Sequence, residues 1–115
     1  MVKKLSEKPS GYFKTAYSNN FMWFGLYYKK DPYAYAAIEI LGVFASLHTE
    51  IVMWSHNIAR TMQIDWEEIK FICKCLGIKE MVASNNDVND KRWPKFIRLF
   101  GFDEPKPILV SRQEI

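Results

Sequence analysis

The sequence predicts a single-domain α/β (α+β) fold, a mixed and mainly antiparallel sheet flanked by helices, and three stretches carry that prediction. In the first, Met62, Trp66, Ile69, Cys73 and Leu76 step by four, three, four and three residues, which puts five apolar side chains on one stripe of a helix. Asp65, Glu67, Glu68, Lys70 and Lys74 read as its solvated face. In the second, Gly77 can take the positive φ that stops a helix, and Ile78 to Ala83 follows at strand length. The third is the front half, where Phe21 to Tyr28, FMWFGLYY, has the composition and length of a strand and KKDP after it has that of a turn.

Taken in order, residues 1–11 read as a flexible basic lead-in, because Pro9 and Gly11 discourage regular structure, and residues 12–115 form the domain. Tyr12 to Tyr17 has the pattern of a helical remnant, and Ser18, Asn19 and Asn20 mark a turn before the first strand, Phe21 to Tyr28. Tyr33 to Ala45 is the returning strand of a hairpin, with Gly42 a bulge or bend within it. Its Ala34, Ala36, Ala37, Ile38, Leu41 and Ala45 would equally suit a buried helix, which periodicity alone does not exclude. A third strand falls in Thr49 to Trp54, just before the central helix. Ser84 to Asp90 is a polar loop, after which Asn89 or Asp90 caps a second helix with Pro94 in its first turn and Trp93, Phe96, Ile97 and Phe100 as its stripe. Pro105 and Pro107 impose an extended connector, and Ile108 to Val110 adds a last strand.

Composition narrows the function classes. With 115 residues, 49% hydrophobic and 25% charged, the chain has the profile of one ordinary globular domain. Eighteen aromatic rings are more than so small a core takes up readily, so some are expected on a groove, a partner surface or an oligomer interface. The net charge of +3 is scattered, and Lys91, Arg92, Lys95 and Arg98 are explained as the solvated face of the last helix, so nucleic acid is disfavoured as a partner. Cys73 and Cys75 stand two apart in a helix and cannot close a disulfide, which implies a reducing compartment. No zinc spacing is present and no metal is expected. MVKKLSEKPSG turns polar where a signal peptide needs an apolar core, and Glu39, His48 and Glu50 interrupt the one stretch long enough to span a membrane, Tyr33 to Trp54.

The order of elements over Phe21 to Val110 resembles the GNAT superfamily of acyl-CoA-dependent N-acyltransferases. Its most specific part is KRWPKFIRLFGF, residues 91–102, which looks like the helix-plus-GF ending of that superfamily, preceded by CLGIKEMVASN as helix end and strand. The size, the reduced front half and the segment IVMWSHNIAR look most like the small GNAT-like proteins of tailed bacteriophages. The resemblance implies a GNAT-like fold, a host-cytoplasmic or virion location, and acetyl-CoA or another acyl-CoA as donor if the chain is catalytic.

Two departures bear on that chemistry. The superfamily leads into its central helix with Gln or Arg, two residues, Gly, one residue, then Gly or Ala, so that bare backbone amides hold a pyrophosphate. Here SHNIARTMQ, residues 55–63, contains no glycine; Ser55, Asn57, Arg60 and Thr61 are the candidate donors to a cofactor, with helix capping as the alternative role of Ser55 and Asn57. Members also often carry a tyrosine four residues before the GF glycine as proton donor, a position held here by Ile97. The candidate catalytic bases are Glu39 and Glu50, as the strand glutamates the resemblance implies, and His48 and His56, whose ordinary pKa near 6.5 suits the task.

With both features missing, the expectation is a non-catalytic protein working through protein contacts, virion-associated or host-directed, as a homo-oligomer or with a protein partner and without a cofactor. The alternative is an acyl-CoA-dependent N-acyltransferase modifying an amine of a host or viral protein. The contact surface is sought where ten of the eighteen aromatic residues crowd into residues 12–35, with Phe24 and Tyr28 sent outward by strand alternation and Tyr33 as a further contact residue.

Overall fold

The computed structural model describes residues 1–13, 21–84, 98, 102 and 110–115. Six strands form one sheet in the order β1-β2-β3-β4-β5-β6. They are β1 (Val2–Leu5), β2 (Phe21–Tyr28), β3 (Asp31–Leu41), β4 (Phe44–Ile51), β5 (Glu80–Ser84) and β6 (Val110–Glu114), and one helix, α1 (His56–Cys75), crosses from β4 to β5. Neighbours run antiparallel except β4 and β5, which are parallel. The mixed, mainly antiparallel sheet of the sequence reading is therefore present, together with its central helix. The last helix, residues 93–100, and the helical remnant at 12–17 lie outside the described residues apart from Tyr12, Phe13 and a helical Arg98.

Several boundaries move. Val2–Leu5 is an edge strand paired with Trp23 to Leu26, not a lead-in; two adjacent lysines hid it, and charge of that kind is common on an edge. Gly42 does not bend a strand but turns the chain, with φ +70, in a loop of Gly42 and Val43 between the partners Leu41 and Phe44. Glycine at the first central position suits the tight hairpin turns whose twist matches that of the strands. The strand expected at Tyr33 to Ala45 is thus β3 and the start of β4, and the one expected at Thr49 to Trp54 is the end of β4.

α1 begins at Ser55, whose hydroxyl accepts the Ile58 N–H at 3.2 Å, and it ends in two reverse-turn bonds, Gly77 N to Lys74 O and Ile78 N to Cys73 O, both 3.1 Å. That pair is the Schellman ending, and it needs the left-handed backbone that Gly77 supplies at φ +84. Ile58, Met62, Trp66, Ile69 and Cys73 are buried against Phe24, Leu26, Ala34, Ala36, Ile38, Ala45, Leu47, Met81 and Ala83. Leu76, expected on this stripe, is 55% exposed because the helix has already ended beneath it. Asp65, expected in solvent, is 4% exposed, since three residues on from Met62 and four before Ile69 it belongs to the buried stripe.

The strand register assigns the faces. Met22, Phe24 and Leu26 of β2 stand opposite Ile38, Ala36 and Ala34 of β3, and all are packed in the core under α1. Phe21, Trp23 and Tyr27 are on the other face. The sequence reading had this parity inverted: Phe24, expected outward, is fully buried, and a one-residue error in parity carries every side chain of a strand to the wrong side. Tyr28 is half-buried against the core. Tyr33 is buried for a different reason. Between Leu26, opposite Ala34, and Tyr27, opposite Pro32, the register slips and leaves Tyr33 as the extra residue of a β-bulge, which aims its ring at the helix alongside Ala34.

Candidate active site

β4 and β5 are the one parallel pair among the described strands. β4 and β5 pair from Phe44 and Glu80 to Leu47 and Ala83, and β4 then runs on to Ile51 beyond the last of these pairs. His48 directly follows Leu47, the partner of Ala83. The carboxyl ends of parallel strands are where α/β sheets commonly take their ligands. The chain leaves β4 through Val52 and Met53, whose N–H groups both donate to Tyr33 O, at 2.8 and 3.2 Å, and it enters α1 at once.

On the sheet face turned away from α1, the register gathers four polar residues. Glu39 stands opposite Ser46, while His48 and Glu50 follow Ser46 at alternate positions of β4 and so share its face. Ser46 Oγ lies 3.2 Å from His48 Nε2, and the Phe21 ring is 5.9 Å from the imidazole. Burial lowers the His48 pKa below its ordinary value, with the Glu39 carboxylate pulling the other way, so the ring is neutral at physiological pH and able to accept a proton. Glu50 is committed to structure: its Oε2 accepts the Phe13 N–H at 2.5 Å, while Lys8 Nζ donates to Phe13 O at 3.1 Å. Phe13 has φ 53, a strained conformation for a bulky residue, and its buried ring packs 5.5 Å from that of Trp23. Beside it, Tyr12 and Tyr35 are in ring contact at 4.6 Å; burial, then Tyr27 and Tyr12, raise the Tyr35 phenol.

Of the expected bases, Glu39, His48 and Glu50 are therefore brought to one face, and His56 is not: it is the exposed first residue of α1. The expected cofactor residues cluster at that helix start. Ser55 is the cap, Thr61 Oγ1 donates to Asn57 O at 3.0 Å, and Asn57 and Arg60 are exposed. A helix leaves its first amides without intrahelical partners; Ser55 takes that of Ile58, so those of His56 and Asn57 point out of the helix end. The first turn carries no acidic residue to repel an anion, and Arg60 adds a cation one turn on. A coenzyme A pyrophosphate fits this end in charge and donors, though it would meet side chains where glycines would offer bare backbone. Among the described residues, no three His, Cys, Asp or Glu side chains gather as a metal site, and no helix is long and apolar enough to cross a membrane.

Ser46 escaped the sequence reading. Its signal was Ser-x-His-x-Glu at alternate positions, visible only once β4 is placed at Phe44–Ile51. Cys73 is buried as expected, with its thiol pushed up to about 11 by burial, and Cys75 is exposed.

No family model and no curated protein matches the sequence. Solved structures do match. The ribosomal-protein-S18-alanine N-acetyltransferase of Escherichia coli superposes with a TM-score of 0.63 at 12% identity, over 86% of this chain and 72% of its own. The aminoglycoside acetyltransferase AAC(6')-Ib, solved with coenzyme A and kanamycin, gives 0.64 at 8% identity over 83% and 67%. The PaiA N-acetyltransferase of Thermoplasma acidophilum, solved with coenzyme A, gives 0.61 at 17% identity over 84% and 62%. The fold is that of the GNAT acetyltransferases. At these identities the likeness establishes the GNAT fold alone.

Proposed function

We propose that this GNAT-fold chain is an acyl-CoA-dependent N-acyltransferase that modifies a primary amine. The observation that carries the reading is a neutral histidine anchored by Ser46 at the carboxyl end of the parallel pair: His48 follows Leu47, which is paired with Ala83 of β5, and Glu39 acts on its charge. In this reading acyl-CoA supplies the activated acyl group, and the outward amides of His56 and Asn57, with Arg60, hold its phosphates. His48 takes the proton of the attacking amine, and Glu39 stabilises the imidazolium that results. Ser46 fixes the orientation of the ring. The missing glycines bear on affinity, because the phosphates would lean on Arg60 instead of on exposed backbone.

Calorimetric titration with acetyl-CoA tests the proposal. Binding by the unmodified protein is expected to weaken at least about tenfold in Arg60→Ala, the loss of one charge-assisted contact, whereas His48→Gln retains binding and loses transfer to an amine. Absence of both heat and thermal stabilisation at saturating acetyl-CoA would overturn it, since a ligand at a hundred times its Kd adds about 2.7 kcal/mol of apparent stability.

The glycine-free start of α1 favours a second reading, in which the fold is kept without the chemistry and the chain acts through protein contacts, within a bacteriophage virion or against a host factor. Ile51, Val52 and Trp54, all more than 40% exposed at the end of β4 and beyond it, would then be contact residues. Under that reading acetyl-CoA produces neither signal.

A further inference from the structure

We propose that Ser46 is a nucleophile that receives the acyl group covalently before it reaches the amine. The proposal rests on the acyl-transfer reading above for the identity of the natural donor, while the reactivity it assigns to Ser46 is a property of the side chains themselves.

Two features of the sheet support it. A serine hydroxyl is a weak nucleophile unless a base stands within hydrogen-bond reach, and Ser46 Oγ is 3.2 Å from His48 Nε2. A base of this kind works best when a carboxylate attends it, and Glu39 is the cross-strand partner of Ser46 and the diagonal neighbour of His48. Serine, histidine and glutamate are thus supplied by two adjacent strands of one sheet. The imidazole is also kept neutral by its burial, which is the form in which it can take the serine proton.

The steps balance without a further reagent. Ser46 Oγ bonds to the carbonyl carbon of an acyl thioester as its proton passes to His48; the carbon–sulfur bond then breaks and His48 returns the proton to the departing thiolate. In the second half, the amine nitrogen bonds to the ester carbonyl, His48 takes a proton from that nitrogen, the carbon–Oγ bond breaks, and Ser46 recovers its proton from His48. The same imidazole serves both halves.

The test uses the full chain and two donors, acetyl-CoA and p-nitrophenyl acetate, of which the second needs no coenzyme A site. With p-nitrophenyl acetate, a burst of about one equivalent of nitrophenolate per chain is expected, with one acetyl group located on Ser46 by peptide mass spectrometry. Ser46→Ala should abolish burst and adduct, His48→Gln should slow acylation by roughly a hundredfold, and Ser46→Cys should move the adduct to the new thiol. An adduct found only on lysines or on Cys75, or a burst unchanged in Ser46→Ala, would overturn the proposal. The acetyl-CoA arm separates it from the function it builds on. Acylation of Ser46 by the nitrophenyl ester but not by acetyl-CoA would uphold the nucleophile and reject acyl-CoA as donor. Transfer from acetyl-CoA to an amine at full rate by Ser46→Ala would do the reverse.

Discussion

The Tyr33 hydroxyl donates to Asp65 Oδ2 across 2.5 Å and joins the bulge in β3 to the buried stripe of α1. The nitrogen of Met1 reaches the same oxygen at 3.0 Å and also donates to Tyr27 O at 2.7 Å. Asp65 is the one charged side chain buried in the described core, and its oxygen is met by Tyr33 from the sheet and by Met1 from the start of the edge strand. Burial raises the Tyr33 phenol well above its usual range, and the hydrogen bond to the neighbouring carboxylate raises it further, so the phenol stays protonated and remains a donor.

Removing that donor leaves a buried carboxylate short of a partner. Tyr33→Phe is expected to lower stability by about 1–3 kcal/mol, the range for an unsatisfied buried polar group, with urea denaturation as the measurement. In the Asp65→Asn background the same substitution should do less, because an uncharged partner is easier to leave in place. Equal effects in both backgrounds would show that the bond contributes nothing specific.

His48 carries an expectation about pH. Its pKa is lowered in the fold, so the unfolded chain takes the proton first, near 6.5. The stability contributed by the neutral ring is fully present above that value and is lost as pH falls through the folded pKa. Imidazole NMR should therefore place the His48 midpoint below 6.5. Glu39→Gln should lower it further, because the carboxylate pulls upward against burial. A midpoint that rises in this variant would reverse the assigned role of Glu39.

Trp66 should be a major contributor to the core. It is 5% exposed, and its ring lies 5.6 Å from that of Phe102. Trp66→Ala is expected to cost about 3–5 kcal/mol, as for other large buried aromatics. The neighbouring Glu67→Ala removes only an exposed pair with Lys70 at 2.8 Å, and a change within about 1 kcal/mol is expected. Thermal melts of the two variants, run side by side, decide the matter; similar melting temperatures would take Trp66 out of the core.

Much of this was legible in the sequence where local chemistry and tertiary demand agreed. β2 could be bounded from its aromatic run, and the α1 stripe from Met62 to Cys73 from its spacing, with Gly77 as its stop. Asp65 was misassigned because residue type was weighed above position, although its spacing from Met62 and Ile69 already put it on the apolar side. Tyr33 was beyond reach of alternation altogether, since a bulge breaks the period of two that alternation assumes. At the site, Glu39, His48 and Glu50 were named from their chemistry. Their shared face was not, because it depends on the Gly42 hairpin, and a strand drawn through that glycine severs Glu39 from Ser46 and His48. Ser46 stayed hidden for the same reason.

Strand order in this sheet repeats chain order without an exception, from β1 at one edge to β6 at the other. Each strand therefore meets, as it leaves the ribosome, a neighbour that has already been made. The turns at Lys29 and Lys30 and at Gly42 and Val43 close hairpins at little entropic cost. β5 must wait for the whole of α1 before it can find β4. Contacts short in sequence speed folding, and the parallel pairing is the slowest to close. The candidate site, on β3 and β4, thus gains its parallel neighbour only after the two hairpins of β2, β3 and β4 have been made.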